Sequence, residues 1–429
     1  MHGFIAVLSL QNNDLQDISF QWKTPFDFQP KHAKRKLKYA NLQIEQFTSE
    51  LFMKDKYWIE NEEFIFVTDG LITNIDKLLN NYQAKDIASL ISKLSRKNKD
   101  FFKDFTGNFI GLFFHKKTKG FIAFNNHAAT KRLFYFSNQD YIIYASDLYT
   151  LSKSLSYLKI PKNLDIEASY LLLTAGFMLD DYTLIQEVKQ IRAGEYASYK
   201  DGVLQLNFYY HLHDIVENSD SKIVIINTID ELFAEAIHEE FEFERSRGYT
   251  PVTTLSAGLD SRMVALVAND LGYTNQVMFN FSEKGFVEET VPKQIAEDYG
   301  FDLRQFALSP YGLMDFEDVV AVNDGLNLYS NVSHAYEALK SLDVPNIGML
   351  HTGMIGDAVL GSFLSASRPK QAKITDGVFS TKLIHKAKPI FEKLIAAYKD
   401  EVSYKFYNRA YTGANNGFLC YNLLLSRRY

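Results

Sequence analysis

The chain has 429 residues, of which 46% are hydrophobic, and it carries a formal net charge of −6. This length and composition exclude a disordered or fibrous protein and predict two or three globular domains. Lys and Arg are spread along the chain rather than gathered into a stripe, which argues against nucleic-acid binding and favours small-molecule partners.

Two compositional features bear on location. The longest apolar stretch, residues 170–179, is too short to span a bilayer, and the first residues lack a basic segment followed by a cleavage site. Cys420 is the only cysteine, so we expect neither a disulfide nor a cysteine metal site, and an inert buried thiol. We therefore expect a cytoplasmic protein without membrane contacts, and we leave homo-oligomerisation open.

Short β-type runs separated by turn signals occupy the first half of the chain. Residues 113–124 predict a hairpin whose loop is Lys116–Gly120, and Asp201–Gly202 is the turn signal of a second hairpin. Further strand-like runs begin at Phe4, Glu63, Asn108 and Tyr141. These runs predict an antiparallel β-rich first domain.

A polar stretch at 214–221 separates this half from a different pattern. Apolar residues from Ile225 recur at helical spacing, and strands then alternate with helices, which predicts a parallel sheet with right-handed crossovers. We expect strands at Val252–Leu255, Gln276–Phe281 and Leu303–Phe306, and helices from Ser261 to Gly272 and over Glu288–Tyr299. The expected domains are 1–214 and 215–429.

The sequence TTLSAGLDSRM, residues 253–263, is the turn between the first of these strands and its helix. Small residues, successive N–H groups and the hydroxyls of Ser256 and Ser261 suit a phosphate or pyrophosphate. Asp260 would repel phosphate unless a cation lay between them, which implies Mg²⁺. An ordinary turn, with Asp260 capping a helix that begins at Ser261, explains the residues equally well.

This turn resembles the S-G-G-x-D-S loop of ATP pyrophosphatases, with Ala257 in place of the first glycine. A second segment, HTGMIGDAVLGSF from His351, resembles the S-G-E-G-A-D-E-x-x-x-G-Y segment of asparagine synthetases, with Thr352, Gly353, Asp357 and Gly361 at matching positions. The resemblance implies that ATP is split between its α and β phosphates and that AMP is attached to a substrate carboxylate.

The resemblance also implies a set of site residues. Adenine and ribose would lie along Leu255, the strand end near Phe279, and Thr352–Gly353. Mg²⁺ would be held by Asp260 and Asp357. The expected ATP and pyrophosphate contacts are Leu255, Ser256, Ala257, Gly258, Leu259, Asp260, Ser261, Phe279, Thr352 and Gly353.

The first half resembles the amidotransferase domain of the same family in its segments DGLITN, NNHAATKRLFYF and YASDLYTL. Glutamine-dependent members begin Met-Cys-Gly, whereas His2 stands here, and an imidazole cannot form the thioester that glutamine hydrolysis needs. Asp69 replaces an asparagine that helps to stabilise the oxyanion, Leu71 replaces an acid, and Asn125–Asn126 replace an Arg-Asp pair. We expect no glutaminase activity, and His2 is more simply a surface residue of the leading strand.

Together these features predict an N-terminal Ntn-type αββα domain, a degenerate class II glutamine amidotransferase, followed by a Rossmann-like α/β ATP-pyrophosphatase domain. The implied function is an ATP-dependent, amide-forming ligase that joins a carboxylate to an amine or ammonia, similar to β-lactam synthetase and lasso-peptide cyclases. Met354 replaces a glutamate of asparagine synthetases, which argues against literal asparagine synthesis. No lysine-bearing C-terminal segment is recognisable, so we expect either that the chain is shortened or that the function of this lysine is lost. The alternative from another class is a pseudoenzyme, a scaffold or regulator that keeps ATP binding or only the fold.

Overall fold

The structure is a computed structural model, and it describes residues 3–11, 17–23, 31–211, 218–308, 316–328, 335–353 and 380–398. The chain divides into two compact units. The first holds the described parts of Met1–Ile215, Asp315–Asn331 and Ala366–Tyr429, and the second those of Val216–Met314 and Val332–Ser365. The expected extents 1–214 and 215–429 remain a prediction, and this grouping differs from them by assigning two later segments to the first unit.

The described strands are β1 Phe4–Ser9, β2 His32–Tyr39, β3 Leu42–Ser49, β4 Trp58–Glu60, β5 Phe64–Ile72, β6 Gly107–His115, β7 Gly120–Asn125, β8 Phe134–Ser137, β9 Tyr141–Ala145, β10 Lys189–Gln190, β11 Glu195–Lys200, β12 Val203–Phe208, β13 Thr250–Thr254, β14 Val277–Ser282, β15 Asp302–Ala307 and β16 Ile347–His351. The described helices are α1 Ile75–Asn81, α2 Ile87–Lys97, α3 Leu148–Tyr157, α4 Ile166–Ala175, α5 Lys222–Arg247, α6 Leu259–Asp270, α7 Val287–Tyr299, α8 Phe316–Asn323, α9 Tyr336–Lys340 and α10 Ile384–Tyr398. Short 3₁₀ helices cover Glu50–Asp55 and Phe101–Asp104.

Two six-stranded antiparallel sheets build the first unit. Their strand orders are β10-β8-β9-β1-β3-β2 and β12-β11-β7-β6-β5-β4. Both expected hairpins are confirmed: β6 pairs with β7 down to His115 and Gly120, and β11 pairs with β12 down to Lys200 and Val203. Asp201 and Gly202 both have positive φ, which the tight turn between β11 and β12 requires.

The two sheets pack face to face, with helices on both outer faces. The inner layer combines Phe4 and Ala6 of β1 with Ile65 and Val67 of β5, all almost fully buried. Alternate residues of β1, Ile5 and Val7, face outward against α3, α4 and α10. Helices α1 and α2 cover the other outer face, on β5 and β6. Since strands with both faces covered read as apolar runs, this arrangement explains the first-half pattern and confirms the αββα sandwich.

A segment from the later part of the chain is attached to this sandwich by polar contacts. Arg132 Nη1 donates to Asp324 Oδ2 at 2.7 Å, and the backbone N–H of Leu148 donates to Asp324 Oδ1 at 2.8 Å. The carboxylate of Asp324 is buried. Sequence reasoning assigned this segment to the second domain, because an ion pair across nearly two hundred residues leaves no local signal.

The second unit contains a four-stranded parallel sheet of order β15-β14-β13-β16. The expected alternation of strands and helices is confirmed. Helix α6 begins at Leu259, two residues before the expected start, and Gly272, the expected stop, follows its C-cap residue Leu271 with a positive φ. Within the described ranges, no helix combines the length and the apolar character needed to cross a membrane.

Candidate functional site

The two segments singled out in the sequence meet at one edge of the parallel sheet. β13 and β16 are hydrogen-bonded neighbours, and Thr253 is in register with His351. Because parallel strands end at the same edge, the turn after β13 and Thr352–Gly353 after β16 lie side by side. Thr254 Oγ1 donates to the carbonyl oxygen of His351 at 3.3 Å, which links the two strand ends.

Gly353 packs directly on the first turn of α6. A Cβ added to Gly353 would lie 2.4 Å from the backbone nitrogen of Ser261 and 2.7 Å from the Cβ of Asp260. Real Cβ atoms do not come this close to backbone, so the contact depends on glycine at this position. Three residues chosen from sequence patterns almost a hundred positions apart are therefore brought into contact.

The hydroxyls of Ser256 and Ser261 shape the turn from within. Their Oγ atoms lie 2.7 Å apart, and Ser261 Oγ also accepts a hydrogen bond from the Ser256 N–H at 3.0 Å. Gly258 N–H donates to Ser256 Oγ at 3.1 Å. The expected alternative, in which Asp260 caps a helix beginning at Ser261, is wrong. Helix α6 begins at Leu259, its N-cap is Gly258 without a side-chain cap, and Asp260 lies inside the first turn.

A carboxylate that the sequence did not single out lies on this turn. Glu288 Oε2, from the first turn of α7, accepts the Ala257 N–H at 2.8 Å. The backbone N–H of Ala257 therefore already binds an anionic oxygen, as expected for a chain segment at a helix N-terminus. Since Glu288 is exposed, its carboxylate can move away when another anion competes for this donor.

The side chains of Leu255 and Phe279 are buried at the ends of their strands and do not line an open surface. Both side chains are 1% exposed, and the Leu255 N–H donates to the Phe279 carbonyl at 2.9 Å. Asn280 Nδ2 donates to the Leu255 carbonyl at 2.8 Å. Leu259 is the opposite case, because its side chain is 71% exposed beside the turn. Contacts of these residues with a nucleotide stay a prediction.

The expected metal pair is only half described. Asp260 lies in the first turn of α6, at the carboxyl edge of the sheet, where its carboxylate could serve as an oxygen ligand for Mg²⁺. Asp357, Met354 and Gly361 lie outside the described residues. Among the residues that are described, no three His, Cys, Asp or Glu side chains are grouped so that they could hold a metal ion.

In the first unit, Asp69, which was expected to stand in place of an oxyanion asparagine, is part of a buried ion cluster. Asp69 has no exposed surface, and its carboxylate lies 2.5 Å from Lys56 Nζ and 2.6 Å from Lys131 Nζ. Burial by itself raises the pKa of Asp69, but the two ammonium groups outweigh it and lower the pKa. Burial lowers the pKa of Lys56, against the attraction of Asp69. An ionised Asp69 has no N–H to donate to an oxyanion.

Asn125 and Asn126, which were expected to stand in place of an Arg-Asp pair, bind backbone carbonyls of the sandwich. Asn125 Nδ2 donates to the carbonyls of Ile191 and Arg192, both at 3.0 Å. Asn126 Nδ2 donates to Thr130 Oγ1 at 2.7 Å and to the Gly107 carbonyl at 3.1 Å. Both amides therefore connect strands and turns of the sandwich. His2 lies outside the described residues, while Gly3 packs against Asp69 and Ser146.

Comparison with known proteins identifies part of this unit. Residues 56–210 match the family described as "Glutamine amidotransferase domain", so this region is a domain of the glutamine amidotransferase type. Lys56, Asp69 and Lys131 all fall inside it. A search of the curated proteins found no match.

Among solved structures, two enzyme chains are similar to this chain. Glutamine phosphoribosylpyrophosphate amidotransferase from B. subtilis, complexed with ADP and GMP, is 9% identical with a TM-score of 0.29, over 74% of this chain and 78% of that chain. A structure described as the allosteric regulatory enzyme of purine biosynthesis is 10% identical with a TM-score of 0.28, over 74% and 77%. At such TM-scores neither likeness bears on function.

Proposed function

We propose that this chain is an ATP-dependent amide-forming ligase whose second unit activates a carboxylate as an acyl-adenylate and releases pyrophosphate. The observation that carries the proposal is the contact of Gly353 with Asp260 and Ser261, since it joins the two sequence segments that resemble one nucleotide site. Two weak motifs that converge at a strand edge are a stronger argument than either alone.

The residues of the turn would act by binding and orienting ATP. N–H groups at the start of α6 and the hydroxyls of Ser256 and Ser261 would bind the β and γ phosphates. Asp260 and Asp357 would hold Mg²⁺, which would neutralise the charge of the departing pyrophosphate. The substrate carboxylate would attack the α phosphorus, and an amine or ammonia would then displace AMP from the acyl carbon.

Nucleotide binding tests this proposal with one matched pair of variants. Mg²⁺ and ATP should raise the melting temperature of the wild-type protein, because a ligand that binds only the native state stabilises it. Asp260→Asn should reduce the shift, while Asp270→Asn, exposed at the far end of the same helix, should not. A shift that is equal in both variants would remove Asp260 from the site.

The first unit, in this proposal, does not hydrolyse glutamine. His2 supplies no thiol, and the ionised Asp69 between two lysines supplies no oxyanion donor. The purified protein should release no glutamate from glutamine. Glutamate release that disappears in His2→Ala would defeat this part of the proposal and leave the nucleotide site untouched.

A non-catalytic scaffold or regulator is the second candidate, and one observation favours it. The N–H groups of Ser256, Ala257 and Gly258 all have protein acceptors: Ser261 Oγ, Glu288 Oε2 and Ser256 Oγ. A turn whose donors are satisfied internally can be stable without any phosphate. ATP binding without any turnover of carboxylates would favour this candidate.

A further inference from the structure

A buried charged cluster lies directly behind the strand end that carries Thr352–Gly353. His351, the last residue of β16, is 4% exposed, and its ring nitrogens lie 3.0 Å from Glu240 Oε2 and 2.7 Å from Glu244 Oε2. When both ring nitrogens carry a proton, each donates to one of the two carboxylates, so this geometry favours the imidazolium form. Phe241 stacks on the same ring with centroids 4.1 Å apart.

Glu244 connects this imidazolium to the backbone of the strand. It has no exposed surface, and its second oxygen, Oε1, accepts the Met349 N–H at 2.5 Å. The strand comes so close to this carboxylate that a Cβ added to Gly348 would lie 2.1 Å from Glu244 Oε1. One buried carboxylate on α5 therefore fixes β16 at two points, by a main-chain hydrogen bond and by an ion pair.

The two residues after His351, Thr352 and Gly353, reach the turn between β13 and α6. Gly353 follows His351 by two positions and packs on the backbone of Asp260 and Ser261. The carbonyl of His351 is also the acceptor for Thr254 Oγ1, on the strand that leads into the turn. The position of His351 therefore affects both sides of the proposed site, through the Thr254 hydroxyl bound to its carbonyl and through the packing of Gly353 on Asp260 and Ser261.

We propose that His351, clamped by Glu240 and Glu244, is a positioning residue that holds Thr352–Gly353 against the Asp260–Ser261 backbone. His351 is not expected to contact the nucleotide. Its effect on ATP binding rests on the proposed function, whereas its effect on the structure of the strand end does not. The cluster fixes the position of β16 through charge-assisted hydrogen bonds, which are about twice as strong as neutral ones. A neutral amide at either end of the pair leaves the sheet intact but loosens the strand end.

Hydrogen exchange measures this effect without any ligand. At about pH 7, where an imidazolium with two carboxylate partners stays charged, we expect His351→Gln and Glu244→Gln to raise exchange in a peptide covering residues 255–263 by about tenfold. Glu240→Gln should have a smaller effect, because the side chain of Glu240 is about half exposed. Glu231→Gln, an exposed position on the same helix, is the matched control and should change nothing.

Exchange of 255–263 that is unchanged in folded His351→Gln and Glu240→Gln would overturn the positioning role, as would an equal increase in Glu231→Gln. If Glu244→Gln fails to fold, the milder Glu240→Gln decides the matter. Affinity for Mg²⁺ and ATP is then compared in the same proteins, where a tenfold weaker binding in His351→Gln is expected. Absence of ATP binding in the wild type would defeat the proposed function alone, since the exchange result does not depend on it.

Discussion

Gly353 and Asp260, far apart in sequence, are in such close contact that a Cβ on the glycine would lie 2.7 Å from the Cβ of the aspartate. Any larger residue at 353 must therefore displace the first turn of α6. We expect Gly353→Ala to lower the free energy of unfolding by about 1–3 kcal/mol, the usual cost of overpacking, and to weaken binding of Mg²⁺ and ATP.

Urea denaturation and a nucleotide thermal shift measure both effects. Gly120→Ala is a suitable control, since a Cβ there meets nothing closer than Thr118 Oγ1 at 3.4 Å. Equal stability and equal nucleotide binding in Gly353→Ala would show that this contact does not constrain the turn.

His351 makes stability depend on pH on the alkaline side. Burial lowers the pKa of the imidazole, but hydrogen bonds to Glu240 and Glu244 outweigh burial and raise it to about 9. Since this value is above the ordinary 6.5, the stabilisation is fully present below pH 6.5 and is lost as the pH rises through 9. The difference corresponds to about 3 kcal/mol at most.

Urea unfolding across this pH window tests the prediction. The free energy of unfolding of the wild type should fall between pH 6.5 and 9, and the curve of His351→Gln should be flatter. Parallel curves for the two proteins would mean that the imidazole does not change its charge on unfolding in this range.

The cluster around Asp69 predicts an asymmetry between two substitutions. Asp69→Asn, which introduces the asparagine expected from the resemblance, removes the carboxylate that Lys56 and Lys131 share in a largely buried cluster and should cost about 3–5 kcal/mol. Lys56→Met should cost less, because Asp69 keeps Lys131. Denaturant midpoints give the comparison, and an Asp69→Asn protein as stable as the wild type would contradict it.

The lowered pKa of Asp69 also has a direction in pH. Burial raises the pKa of Asp69, the two lysines lower it by more than burial raises it, and the net pKa is below the ordinary 3.8. The stabilisation is therefore present above pH 3.8 and is lost as the pH falls through the lowered pKa. Acid unfolding of Lys56→Met should begin at a higher pH than that of the wild type.

Glu288 provides a test of whether the turn accepts an outside anion. Its carboxylate occupies the N–H of Ala257 at 2.8 Å, so it competes with phosphate and repels it. We expect Glu288→Ala to tighten binding of Mg²⁺ and ATP by about three- to tenfold, whereas Glu297→Ala, exposed on the same helix, should not. Titration calorimetry measures both, and weaker binding in Glu288→Ala would show that Glu288 helps to hold the nucleotide.

Sequence reasoning succeeded where the signal is local. The alternating apolar residues and the Asp201–Gly202 turn are set by neighbours along the chain, so β11, β12 and their hairpin could be predicted. Glu288 and the His351 cluster could not, because their partners are 31 and 107 residues away and meet only through the order of the parallel sheet. The one available signal was the spacing of Glu240 and Glu244, four apart on a helical face.

The assignment of segments to units shows the same limit. Asp324 lies in the half that resembles the nucleotide domain, yet its carboxylate binds Arg132 of the sandwich. The local sequence around residue 324 does not differ in composition from the segments on either side of it, so it does not reveal this partner.

The products formed from ATP test the central proposal most directly. The purified protein is incubated with Mg²⁺, ATP, ammonium and a panel of carboxylates that includes aspartate, and the nucleotide products are separated, with Asp260→Asn as control. If the turn after β13 binds the β and γ phosphates, the wild type produces AMP and pyrophosphate in equal amounts, hydroxylamine traps the activated carboxylate, and the variant loses this activity. Formation of ADP and phosphate would contradict the account.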